Sequence, residues 1–131
     1  MTKLEYDRLT HMIRGAAIEV HKELGPGLLE SVYEYCLVDE LRKEGLKVEQ
    51  QVMVPIIYKG RILEKHFFVD ILVEDEIVIE LKCVEEIRSI HEVQLVTYLK
   101  LSSNKLGLLI NFNVPKMIDG IKRKVNGFSK Y

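Results

Sequence analysis

Asp70, Glu80 and Lys82 stand at a spacing that can support metal-assisted phosphoryl chemistry. They flank the acidic turn Glu74-Asp75-Glu76, on either side of which apolar residues alternate with period two, the mark of strands. A turn centred on Asp75 makes the two runs an antiparallel hairpin in which residues equidistant from Asp75 oppose one another. Asp70 then faces Glu80 with Cβ atoms about 4.5–5.5 Å apart, and Lys82 shares their face two residues on. Two carboxylates so placed repel unless a proton or a cation neutralises them. A hard divalent ion does so with oxygen ligands at roughly 2.0–2.4 Å while keeping several waters. Such an ion polarises a phosphoryl oxygen and acidifies water, and a neighbouring lysine orients that water and offsets developing negative charge. The resulting chemistry is phosphodiester hydrolysis. The same three residues could equally form a salt-bridged patch, and spacing by itself does not separate the two readings.

The surrounding pattern specifies what must hold them. Phe67, Val69, Ile71, Val73, Ile77, Ile79, Leu81 and Cys83 form the apolar face opposite the charges, while Phe68, Leu72 and Val78 interleave with the charged residues. Upstream, apolar residues at helical spacing predict a helix from Leu4 to Leu24, stopped by Gly25-Pro26-Gly27, and a second from about Leu28 to Glu44, stopped by Gly45. Val48, Val52, Val54, Ile56 and Tyr58 predict a strand that turns at Lys59-Gly60 into one running to Val73, followed by a third from Ile77 to Lys82. A helix is expected from about Glu85 to Leu101. The continuous apolar run Leu106 to Phe112 then reads as a strand buried on both faces, joining in parallel after the helical crossover. The tail after Pro115 reads as strand, turn or short helix ending near Val125. The fold class is α/β: a central mixed sheet, an antiparallel three-stranded meander plus a parallel strand, flanked by helices.

With 131 residues, 47% of them hydrophobic and 30% charged, the chain is expected to form a single folded domain over 1–131. No apolar run approaches the roughly 20 residues that span a bilayer, and the first residues lack a signal-peptide pattern, so a cytoplasmic location and no membrane partner are expected. Cys36 and Cys83 form no C-x-x-C pair and are expected as buried small residues, not zinc ligands or a disulfide. His11, His21, His66 and His91 have no metal-ligand spacing. A net charge of −1 means that affinity for nucleic acid must come from a local patch or a bound metal. Lys122-Arg123-Lys124 is the densest basic run, although short runs are usually solvated faces.

D-x9-E-x-K on a hairpin followed by a helix resembles the PD-(D/E)XK nuclease superfamily, and the order of elements from about Leu28 to Phe112 is similar to its core. More narrowly, Gly27-Leu28-Leu29-Glu30-Ser31-Val32-Tyr33 resembles the signature of the bacterial GxxExxY family, as do IYKGRIL at 57–63, VIELKCVEEI at 78–87, QLVTYLK at 94–100 and GLLINF at 107–112. Val69 stands where the nominal motif has proline. The resemblance implies Asp70 and Glu80 as ligands of Mg²⁺ or Mn²⁺, Lys82 as the catalytic lysine and Glu30 as an additional acidic ligand presented by the helix before the sheet. It implies nucleic acid, with DNA expected, as substrate. Glu30 has a plainer reading, since a first-turn carboxylate gains about 0.3–1 kcal/mol from the helix dipole. Tyr33, three residues on, is expected to pack in the core with its hydroxyl hydrogen-bonded. Gln94 and Tyr98 lie one turn apart, with Ile87 and His91 on the same stripe; their spacing resembles the Q-x-x-x-Y of RecB-like nucleases, where it lies beside the active site. By pattern alone they would be one face of an amphipathic helix. A different class of function keeps the fold and the acidic pair without catalysis, as a module binding nucleic acid or a protein partner. Homo-oligomerisation is left open by the sequence.

Overall fold

A computed structural model describes residues 1–127, so the last four positions of the expected domain lie outside the described residues. The elements are α1 (Lys3–Leu24), α2 (Glu30–Lys43), β1 (Val48–Tyr58), β2 (Arg61–Val73), β3 (Ile77–Lys82), α3 (Ser89–Ser102), β4 (Leu106–Asn111), a 3-10 turn (Met117–Gly120) and β5 (Ile121–Val125). The five strands lie side by side in chain order, antiparallel throughout except for the parallel β3–β4 pair. This is the mixed α/β architecture expected, with the parallel strand reached through α3. The tail after Pro115 resolves as a turn followed by a strand. Among the described residues no helix is long and apolar enough to cross a membrane.

Helices α1 and α2 cover one face of the sheet. A capping box, in which the Thr2 hydroxyl accepts from the Glu5 N–H and the Glu5 carboxylate accepts from the Thr2 N–H, starts α1. Tyr6, Leu9, Ile13, Ala17 and Val20 then bury one stripe together with Leu37 and Leu41 of α2, against Ile71, Ile79, Leu81, Leu108 and Ile110. The other face is a smaller core, where Leu95 and Leu99 of α3 meet Val54, Val69, Val78 and Leu109. Gly107 permits this approach: a Cβ there would lie 2.9 Å from Leu95 Cδ1.

Three expectations need correction. Helix α3 begins at Ser89, not near Glu85, because the buried Asn111 side chain accepts from the Val84 N–H and donates to the Val84 carbonyl. Those bonds hold the chain extended beyond β3, and Ile87 therefore precedes the helix. Phe67 and Val69 face α3 instead of sharing the α1/α2 face with Ile71. The strict alternation breaks where Gln51 (φ 49°), across from Asp70, coils the β1–β2 ribbon, and Phe68 is thereby turned outward against His66. Cys36 and Cys83 are half-buried free thiols at the margin of the larger core.

Candidate active site

The β2–β3 ladder follows the register expected about Asp75, with Val73 opposite Ile77, Leu72 opposite Val78 and Ile71 opposite Ile79. It stops there. At the next position the carboxylates themselves take the backbone groups: the Asp70 N–H donates to Glu80 Oε1 (3.1 Å), and the Leu81 N–H donates to Asp70 Oδ2 (2.8 Å). The strands splay around two side chains, each held by a backbone N–H of the facing strand.

Glu80 is only 8% exposed. Burial, and then the charge of Asp70, push its pKa up to about 8; the Asp70 N–H and Lys82 oppose the shift, and Glu30 adds to it. At neutral pH the pair therefore holds a proton unless a cation takes its place. Oxygen donors in this state suit a hard divalent ion, which would replace that proton. Among the described residues no three His, Cys, Asp or Glu side chains converge into a ready cage.

The other expected residues surround the pair to different degrees. Lys82, on the Glu80 face of β3, is half-buried and joins no ion pair among the described residues. Its carbonyl accepts from the Phe112 N–H (3.0 Å), and Asn111 fixes the turn that follows. Glu30 is exposed at the first position of α2 and reaches the pair through its charge, raising the pKa of Glu80 and contributing, after burial, to the raised pKa of Cys83. Its placement depends on Tyr33, which is fully buried, stacks on Phe112 at 4.4 Å, and clamps the α1–α2 turn by donating to the Gly25 carbonyl and accepting from the Leu28 N–H. Tyr98 stacks on Phe67 at 4.1 Å; burial first, then the charges of Glu80 and Asp70, raise its pKa, which puts its hydroxyl within the field of the pair. Gln94, one turn earlier, is exposed and makes no hydrogen bond to the pair.

Two contributors escaped the sequence reading. Gln51 Nε2 donates to Asp70 Oδ1 (3.3 Å) and to Glu34 Oε1 (2.8 Å), and Gln50 donates to the other Glu34 oxygen, so β1 links the pair to α2. Asn111 is the second, and its only signal was a polar residue inside an otherwise apolar strand. Two of the histidines are engaged with backbone, His21 at the Val114 carbonyl and His91 accepting from the Arg88 N–H. Beyond Lys82 the residues Val84, Glu85, Glu86, Arg88, Ile90 and His91 line an open cleft of about 710 Å³.

A family model described as PD-(D/E)XK nuclease superfamily matches residues 7–124. No curated protein and no solved structure matches the chain. The matched span runs from α1 into β5 and includes the splayed hairpin with Asp70, Glu80 and Lys82, and on that footing the chain belongs to the PD-(D/E)XK nuclease superfamily.

Proposed function

We propose that this chain is a cytoplasmic, Mg²⁺- or Mn²⁺-dependent nuclease of the GxxExxY branch, a single domain over 1–131 that hydrolyses phosphodiester bonds of DNA. The observation that carries the reading is the clamped carboxylate pair. Its two oxygen donors are fixed by backbone hydrogen bonds, and burial beside Asp70 pushes the pKa of Glu80 up to about 8. Asp70 and Glu80 would hold the ion, with Glu30 adding negative field as a further acidic ligand. When bound, the ion supplies polarisation of a phosphoryl oxygen and acidification of water. Lys82, in no ion pair among the described residues, directs the attacking water and offsets charge on the phosphoryl group. The water oxygen bonds to phosphorus as the P–O ester bond breaks, leaving a phosphate monoester and a hydroxyl. Tyr98 and Gln94 shape the substrate side of the site, and the cleft beyond β3 gives the strand room.

The test is cleavage of linear and circular, single- and double-stranded DNA and of RNA by wild-type protein and Lys82→Ala, each with Mg²⁺, Mn²⁺ or chelator. Metal-dependent cleavage of DNA by wild type alone is expected. Equal cleavage by both proteins would remove Lys82 from the mechanism. A second reading, a catalytically silent module for nucleic acid or a protein partner, draws on the net charge of −1. It is supported if the folded protein cleaves nothing and Mg²⁺ binding is unchanged in Asp70→Asn.

A further inference from the structure

The antiparallel ribbon β1–β2 is much longer than the part of it that belongs to the five-stranded sheet. Strand β3 pairs with β2 only from Ile71 to Val73, whereas β1 continues to pair with β2 out to Tyr58 opposite Arg61. At roughly 3.3 Å per residue, the seven positions from Val52 to Tyr58 carry the ribbon on the order of 20 Å beyond the Asp70–Glu80 pair. Its outer end is apolar and exposed: Ile57 and Ile62, directly opposed, are 56% and 69% exposed, and Tyr58 is 55% exposed.

It also carries a local excess of positive charge. Lys59, Arg61 and Lys65 stand at the tip with Glu64 as the one acid between Tyr58 and Phe68, a local excess of two positive charges in a chain whose net charge is −1. None of the three joins an ion pair among the described residues, and Lys59 lies over the Tyr58 ring at 5.4 Å. Elsewhere five cations are paired: Lys3 with Asp7, Lys43 with Asp39, Lys47 with Asp75, Arg123 with Asp7 and Lys124 with Glu92. Two of the three cations in the basic run near the C-terminal end of the sheet are thus paired, whereas none of the three on the arm is, among the described residues.

We infer that the outer half of the β1–β2 ribbon is a nucleic-acid-binding arm that grips duplex DNA to one side of the Asp70–Glu80 pair. A two-stranded ribbon fits the major groove, which is about 12 Å wide. Lys59, Arg61 and Lys65 meet the flanking phosphates, and Ile57, Ile62 and Tyr58 lie against base edges and sugars. At about 3.4 Å per base pair, an arm of this reach covers about six base pairs beside the scissile phosphate. This deepens the nuclease reading, on which it rests for the position of the cut.

The experiment separates the two ideas. Binding of fluorescent duplex DNA, single-stranded DNA and RNA is measured in chelator, where nothing is cut, for wild type and for the triple variant Lys59→Ala, Arg61→Ala, Lys65→Ala, with circular dichroism to verify the fold. Hydrolysis of bis(p-nitrophenyl) phosphate, too small to reach the arm, is measured alongside with Mn²⁺. The triple variant is expected to bind duplex about ten- to a hundredfold more weakly, with the slope of log affinity against log salt reduced by about 2 to 3. Its small-substrate hydrolysis is expected to be unchanged. Duplex binding equal to wild type overturns the arm and leaves the nuclease reading intact. Arm-dependent binding without hydrolysis by either protein upholds the arm and sinks the nuclease. Preference for single strands or RNA, or concentration-dependent self-association lost in Ile62→Asp without nucleic acid binding, overturns the duplex arm in favour of another occupant.

Discussion

The two ends of the β2–β3 hairpin are built from neighbouring residues of the same strands and do different things. Near the turn, Ile71, Val73, Ile77 and Ile79 close a regular ladder against the α1/α2 core and are fully buried. One residue further, the ladder is abandoned and two carboxylates occupy the backbone positions in its place. The first end contributes to stability. The second gives some of it up, because a buried glutamate beside another acid is costly until something positive arrives. Activity and stability should therefore respond in opposite directions on crossing a single residue.

The largest expected effect tests that opposition directly. Asp70→Asn keeps an acceptor for the Leu81 N–H but removes one charge beside Glu80. Metal-dependent cleavage should fall by at least about a thousandfold, while the melting temperature of the metal-free protein stays level or rises by a few degrees. A drop in both would mean that the carboxylate supports the fold and the contrast is wrong.

The pH dependence of stability comes next. Because the Glu80 pKa is raised in the folded state to about 8 from an ordinary 4.5, the folded protein binds a proton that the unfolded chain has released. Its contribution is fully present below about pH 4.5 and is lost as pH rises through 8, on the order of 5 kcal/mol across that window. Urea unfolding in chelator at pH 5, 6.5 and 8 should show wild type losing stability with increasing pH relative to Glu80→Gln. Saturating Mg²⁺ should flatten the trend, since its apparent affinity gains up to tenfold per pH unit below 8 as the competing proton leaves. A flat difference between the two proteins would show that Glu80 is ionised without metal.

At the other end of the hairpin, Ile79→Ala should cost about 3 kcal/mol and lower the melting temperature by roughly 10 °C, as for other fully buried large-to-small changes. Below its melting temperature, hydrolysis per folded molecule should be within a few fold of wild type. A collapse of activity in the folded variant would mean that the ladder and the splay are one mechanical unit.

What the sequence made legible follows this same division. The register about Asp75 could be read because apolar alternation and a short turn, with positive φ at Glu74 and Asp75, admit one pairing without exposing the core. The helices declared themselves by their stripes, and β4 by an apolar run buried on both faces. The start of α3 was hidden because a side chain in another strand, Asn111, decides it. The flip of Phe67 and Val69 to the α3 side was hidden as well: it depends on a twist at Gln51, and a glutamine in a strand gives no sign of a left-handed backbone.

Gln51 is also where the smallest effect is expected, and it shows why one member of the site was unreadable. Counting back from the Lys59-Gly60 turn, Tyr58 pairs with Arg61 and Ile57 with Ile62, which would set Glu49 opposite Asp70. Near Pro55 the register shifts, with Pro55 opposite His66, and Gln51 comes to lie across from Asp70 instead. Proline cannot donate to the ladder, so its presence marked a place where pairing could slip but not by how much. Gln51→Gly separates the backbone role of this position from its amide. Glycine adopts the positive φ without the strain of a side chain, so stability should hold or rise by up to about 1 kcal/mol. Losing the amide frees Asp70 and Glu34 from their shared donor, so cleavage should fall by about five- to tenfold, through weaker Mg²⁺ affinity more than through maximal rate. If cleavage is unchanged in a variant of equal or higher stability, the coil of the ribbon alone orients Asp70 and the amide is a bystander.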